Sequence, residues 1–250
     1  MGIDVALAAG STVVAMAFGI STHDRWLRRR APHDLAWTIS LAIFSVGAAA
    51  LWWAEARGWS IVSFRVFFLA GAVLNVPWLA LGSVYLLAGR VWGDRIRWWL
   101  VGLSGAAIGV VLVSPADPVE VSGHDLPKGS EIFGVAPRVF AAVGSGLAAT
   151  VILAGSVWSI VRLLRGRTPG LSGTRRQVVD PARLVGGNAL IALGTIVLSA
   201  SGTLAGRLGE DRAFSVTLLV GVVILFAGFL VSSVRRVERT AQQLADGVVR

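Results

Sequence analysis

The chain has 250 residues, 55% of them hydrophobic and only 15% charged, with a mean hydropathy of +0.72; this is far more apolar than a soluble domain and suits a chain that lives in a bilayer. Cysteine is absent, which excludes disulfides, thiolate nucleophiles, thiolate zinc sites and cysteine-ligated iron–sulfur clusters. A formal charge of +9 would suggest nucleic acid in a soluble protein, but in a membrane protein basic loops held on the cytoplasmic side explain it without a nucleic-acid partner.

Seven apolar runs follow one another. The first, 5–20, is preceded by Asp4 and followed by Arg25, Arg28, Arg29 and Arg30, the reverse of a signal peptide, whose positive charge precedes its apolar core. It reads as an uncleaved first helix with its N-terminus outside. The second run is 35–54, with Asp34 placed to cap its start. The third is 64–87, the fourth and shortest 98–113, the fifth 139–161, the sixth 184–205 and the seventh 213–234. Asp180-Pro181 before the sixth reads as an N-cap followed by proline at the first helical position.

The charges test this count independently. Of 23 Lys and Arg residues, 17 fall in segments 21–34, 89–97, 162–183 and 234–250, and 6 fall in the segments that alternate with them. That asymmetry predicts seven spans with the N-terminus outside and the C-terminus cytoplasmic. Nine of the ten tryptophans lie near predicted helix ends, where an indole anchors at the headgroups, and Trp78 alone sits mid-span. Only one of the 23 basic residues, Lys128, is lysine, and Ala, Gly, Val and Arg abound. This looks like the codon bias of a GC-rich bacterial genome, and with the apolar runs the expected location is a bacterial plasma membrane.

The third run holds the sharpest local feature. Pro77 cannot donate a backbone hydrogen bond and its ring presses on the carbonyl of Val73, so a kink is predicted there. Asn75 lies within a turn of it and needs partners in hydrocarbon. Gly71, Asn75, Trp78 and Gly82 fall on one face, which marks this helix as the inner seam of the bundle with the other six around it. Asn75 and Asn188 are the only amides in the runs, and pairing between them, with Trp78, would fill the polar gap at Pro77. Arg65, Asn75, Pro77, Trp78 and Asn188 are the candidate hinge or ligand residues. Small residues recur at helical spacing in the last three runs: Ala141, Ser145, Ala148, Gly155 and Ser159; Gly187, Gly194 and Ser201; Thr217, Gly221, Gly228 and Ser232. Such stripes let helix backbones approach closely.

Two segments lie outside the runs. Residues 114–137 form the longest outer loop, in which Asp117, Glu120, His124 and Asp125 have no spacing that matches a known metal loop. Residues 235–250 read as a cytoplasmic amphipathic tail whose Arg235, Arg236 and Arg239 suit anionic lipid.

Several chemistries fail on specific residues. A retinal Schiff base needs a lysine in the last helix, and 213–234 has none. Membrane zinc hydrolases carry His and Asp on their helices, whereas His23, His33 and His124 all fall in predicted loops, so no metal, cofactor or catalytic residue is expected. The three-plus-one-plus-three layout of sugar-type transporters matches the helix count, but the intramembrane proline of one half has no counterpart in the other. The stretches 64–72, 139–146 and 188–194 with Ser201-Gly202 resemble a family of uncharacterised actinobacterial integral membrane proteins; the resemblance covers nearly the whole chain, implies a seven-helix bundle and assigns no activity. The expectation is therefore an all-α polytopic protein with one transmembrane domain, 1–234. Its expected role is that of a non-catalytic subunit or accessory of a cell-envelope membrane assembly, with the bilayer and a membrane protein as partners. The alternative is a carrier for a small uncharged or apolar solute that moves about the Pro77 kink.

Overall fold

The computed structural model describes residues 2–116, 121, 126–165, 181–208 and 211–233, and among these it contains helices and no strand. The helices are α1 (Ile3–Arg29), α2 (Pro32–Arg57), α3 (Ile61–Leu87), α4 (Arg90–Val113), the single turn α5 (Gly129–Ile132), α6 (Val135–Leu164), α7 (Pro181–Leu208) and α8 (Asp211–Ser233). Among the described residues six of these, α1, α2, α3, α4, α6 and α8, are long and apolar enough to cross a membrane, and α7 carries a shorter apolar stretch, Val185–Ser201. By length and composition the chain is a multi-pass membrane protein.

The helices extend beyond the apolar runs because a charged residue ends an apolar stretch without ending a hydrogen-bonded helix. The segment 89–97, expected as a loop, is the first two turns of α4, where Asp94 pairs with Arg90 at 3.6 Å and Arg97 at 3.7 Å. Likewise α1 continues through Arg28 and Arg29 before Arg30 turns left-handed, at φ 51°, and ends it. Long arginine side chains can bury their stems in the helix flank while their heads reach water. Asp180 and the 235–250 tail lie outside the described residues; Pro181 does open α7.

Six helices close into a ring in the order α1, α2, α3, α6, α7, α8 and back to α1, while α4 lies outside it against α3 and α6. This corrects the expectation of α3 as a central helix surrounded by six others: α3 is one stave of the ring. Its single face of Gly71, Asn75 and Trp78 does not act as one seam, because three residues on a helix leave about 60° between side chains. Asn75 consequently turns to α2 and Trp78 to α4.

Contacts at the two ends fix the helix directions. Arg212 at the start of α8 meets Asp4 at the start of α1, at 3.5 Å. Phe67 and Phe214, near the starts of α3 and α8, lie 5.8 Å apart. Phe133, just before α6, packs on Phe64 and Phe68 at 5.5 and 4.9 Å. Thus α1, α3, α6 and α8 all begin at one end, called here the aromatic end. Arg65 tethers the finish of α4 there, donating from Nη1 to Leu112 O and from Nη2 to Ser114 O, both at 2.7 Å. A cation on the last carbonyls of a helix satisfies orphan acceptors and favours the negative end of its dipole.

The small-residue stripes of α7 and α8 meet. A Cβ added at Gly194 would lie 2.8 Å from Leu225 N, one at Gly221 2.7 Å from Leu198 Cγ, and one at Gly228 2.8 Å from Gly187 O. Only glycine permits this approach, and dispersion between close backbones is what holds helices together where lipid is as apolar as leucine.

At the opposite end, the arginine end, Asp34 is buried completely. The expected N-cap role fails because Pro32 at the first helical position moves the cap to Ala31, which makes no side-chain cap bond. Asp34 instead accepts from Arg25 Nη2 of α1 at 2.7 Å, and the Arg25 guanidinium lies 4.2 Å over the Phe229 ring of α8. One ion pair therefore ties three helices. Losing one partner of a buried pair strands the other charge, at about 3–5 kcal/mol. Asp34→Ala should lower unfolding stability in detergent by about that amount. Asp24→Ala, which breaks the exposed Asp24–Arg28 pair, should stay within about 1 kcal/mol. Equal losses at the two positions would show that the Asp34 pair does not clamp the bundle.

Candidate functional site

Proline at position 77 interrupts the hydrogen bonding of α3, and the helix answers by widening. Phe68–Leu74 form a π-helical segment, in which Asn75 N–H donates to Ala70 O five residues back. With that offset the carbonyl opposite Pro77 is that of Ala72, five residues earlier, and the Ser145 hydroxyl of α6 donates to it. The sequence expectation placed the orphan at Val73, as in a regular α-helix; the π turn moves it by one residue. Gly144 of α6 faces Pro77 Cγ and Val73 O, which a Cβ there would meet at 3.8 and 3.9 Å.

Asn75, which is 8% exposed, is held from the other side. Ser40 Oγ of α2, fully buried, approaches Asn75 O at 2.9 Å and Asn75 Oδ1 at 3.1 Å. Two serines from two neighbouring helices thus fasten the irregular part of α3, as hydrocarbon requires of any backbone that leaves the α pattern.

Inside the ring lies a cavity of about 750 Å³, between α2, α3, α6, α7 and α8. Its lining runs along α6 from Arg138 to Ile152 and along α3 from Phe64 to Leu79, or about 20 Å at 1.5 Å per residue. Most of the wall is apolar: Leu41, Phe44, Val76, Leu79, Leu218, Val222 and Leu225 among others. The polar groups that reach it are largely spent. Ser145 donates to Ala72 O, Thr195 to Ile191 O at 2.8 Å, Ser201 to Leu198 O at 2.7 Å, and Ser40 serves Asn75. Hydroxyls turned back onto carbonyls leave methyl and methylene surface facing the void.

The two ends of the cavity differ. At the arginine end Phe18 stacks on Phe226 and meets Phe229 at a tilt, both with centroids 4.7 Å away, Trp37 meets Phe229 at 5.8 Å, and Gly82 leaves room for the Trp37 indole. These rings, above the Arg25–Asp34 pair, plug it. At the aromatic end Phe64, Phe67, Phe68 and Phe214 form a collar, and beyond it the lining consists of residues 126–130 and Arg138. Lys128 pairs with Glu131 at 3.3 Å. Arg138 is exposed and makes no ion pair among the described residues.

Of the five candidate residues, Asn75 lines the cavity and Pro77 creates the break behind it. The other three point elsewhere. Arg65 holds the end of α4; Trp78 Nε1 donates to Ser104 of α4 at 3.3 Å; Asn188 Nδ2 donates to Ser159 of α6 at 2.9 Å, not to Asn75. Asn188 misses Asn75 because it belongs to the α6–α7 contact, whereas Asn75 faces α2. Sequence reading missed Ser40, Lys128 and Arg138 as site residues. A lone serine in an apolar run has no signature, and the two cations counted only as loop charge. Asp117, Glu120, His124 and Asp125 lie outside the described residues.

No protein-family model matches the chain. No curated protein and no solved structure matches it either.

The π turn, Pro77 and Ser145 form one unit, which a double-mutant cycle can isolate. Ser145→Ala should cost about 0.6–1.7 kcal/mol, the measured range for hydrogen bonds between membrane helices. In a Pro77→Ala background, where residue 77 regains its own N–H, the same change should cost markedly less. Equal costs in both backgrounds, read from unfolding in detergent, would mean that Ser145 does not serve the carbonyl Pro77 leaves open.

Proposed function

We propose that this protein is a membrane carrier that takes an elongated apolar molecule into the space inside its helix ring. The observation that carries this reading is a 750 Å³ cavity most of whose hydroxyls are already spent on carbonyls, plugged at one end and lined by loop residues at the other. Ligand cavities commonly fall between about 300 and 1,000 Å³ and bury most of their guest against apolar wall. Spread over about 20 Å, 750 Å³ makes a space longer than it is wide, a shape that suits an extended chain.

In this reading all seven long helices cross the bacterial plasma membrane, with the aromatic end outside and the arginine end cytoplasmic. The split of basic residues supports that orientation. The shared starting end of α1, α3, α6 and α8 supports an additional crossing by α7. The cavity then stands open outward, and release inward requires the Phe18–Phe229 plug to part. The π segment of α3, fastened by two serines rather than by a regular ladder, is the element built to move. The accessory-subunit reading draws support from α4, which lies outside the ring with Trp98 and Trp99 69% and 76% exposed, where a partner helix could lie.

Tags at the two termini should report opposite sides of the membrane, the N-terminal one outside; both on one side would overturn the seven-span topology. Gly71 and Gly146 line the cavity, and a Cβ at either would meet nothing within 4 Å. Gly71→Leu and Gly146→Leu should therefore fill the space without unfolding the bundle. Energy transfer from tryptophan to diphenylhexatriene, a rod-shaped hydrocarbon, should saturate in the native protein and fall in both variants while thermal stability holds. Undiminished transfer in both would remove the cavity from the account of function.

A further inference from the structure

Resting on the cavity reading above, we infer that the guest is an amphiphile: one long hydrocarbon chain that ends in a single negatively charged head, held at Arg138. The chain part follows from the wall, since the lining between Phe64 and Ile152 is apolar for about 20 Å. One layer of acyl chains spans about half of a 30 Å hydrocarbon core, or about 15 Å. A fatty chain therefore fits lengthwise with room for its head.

The head part follows from charge at the mouth. Among the described residues the cavity rim carries Lys128 and Arg138. Glu131 pairs with Lys128 at 3.3 Å, which leaves Arg138 as the rim cation without an ion-pair partner among the described residues. Arg65, one turn from the Phe67–Phe68 collar, does not line the cavity, and its Nη1 and Nη2 donate to Leu112 O and Ser114 O. A guanidinium presents a planar fork of donors that a carboxylate meets with two parallel hydrogen bonds. At the other end of the cavity the plug is aromatic, and the Arg25 charge beneath it is taken up by Asp34. The molecule thus has an apolar blind end and a cationic rim, which orients the guest with its chain toward the plug and its head toward Arg138.

The test compares palmitate with hexadecanol, the same chain with and without a charge, as competitors for diphenylhexatriene bound to the full chain in nanodiscs of neutral phosphatidylcholine. Palmitate should displace the probe at a concentration at least about fivefold lower than hexadecanol, equivalent to about 1 kcal/mol for an exposed ion pair. Arg138→Gln should abolish that advantage and leave hexadecanol unchanged; Lys128→Gln should reduce it less. Equal potency of the two competitors in the native protein would overturn the head-group assignment while leaving the cavity reading intact. Failure of both to displace the probe would overturn the cavity reading itself. An advantage of palmitate that survives Arg138→Gln would show that the charge lies elsewhere. Arg138 is exposed, so the variant should fold, and an unchanged thermal midpoint checks that it does.

Discussion

Pro77 has no N–H to give, and in hydrocarbon the carbonyl it leaves open must find a donor from another helix. The rest of the interior follows from how that donor is supplied. The π turn at Phe68–Leu74 shifts the open carbonyl to Ala72, Ser145 of α6 reaches it, and Ser40 of α2 holds Asn75 from the opposite side. Fastened on both flanks, α3 becomes a stave between α2 and α6 and not a central post. The space a post would have filled is the cavity.

Hydrogen-bond satisfaction then sets the chemistry of that space. Serines and threonines in the wall spend their hydroxyl protons on backbone carbonyls, as Thr195 does on Ile191 O and Ser201 on Leu198 O. A void lined this way has few partners for water and suits an apolar guest. Electrostatics separate its ends. At the arginine end the Arg25 charge beneath the aromatic rings is taken up by Asp34, while at the aromatic end the rim guanidinium of Arg138 makes no ion pair among the described residues.

The order of the apolar helices was legible in the sequence because each run is uniformly hydrophobic, and among the described residues six of the seven runs fall on helices long and apolar enough to cross a membrane. Their ends were not, since α4 begins at Arg90 amid three arginines and an aspartate that hydropathy assigns to a loop. Asp34 looked like a cap because it stands before an apolar run; Pro32 two residues earlier decided otherwise. The cavity was illegible for a subtler reason. Small residues mark a close helix contact and an open space equally well. Gly194, Gly221 and Gly228 sit at a contact, whereas Gly71, Ala142 and Gly146 border the void. The stripe on α6 even divides: Ala141 and Ser145 face the cavity, while Ala148 packs with Ala80. Pro77 announced a break in α3, but nothing local specified a π turn, because its stability comes from serines 35 and 73 residues away in the chain.

A hydrocarbon chain that occupies the apolar space inside the ring must shield the residues that line it. The chain has no native cysteine, so single cysteines report cleanly. Ala149 and Gly146 line the cavity, while Leu147, 66% exposed, faces away from it on the same helix. Gly146→Cys, Ala149→Cys and Leu147→Cys, reconstituted in bilayers, are treated with an apolar thiol reagent with and without hexadecane. Hexadecane should slow labelling strongly at 146 and 149 and leave 147 unaffected. No protection at any position, or equal protection at all three, would contradict an enclosed site for a hydrocarbon chain.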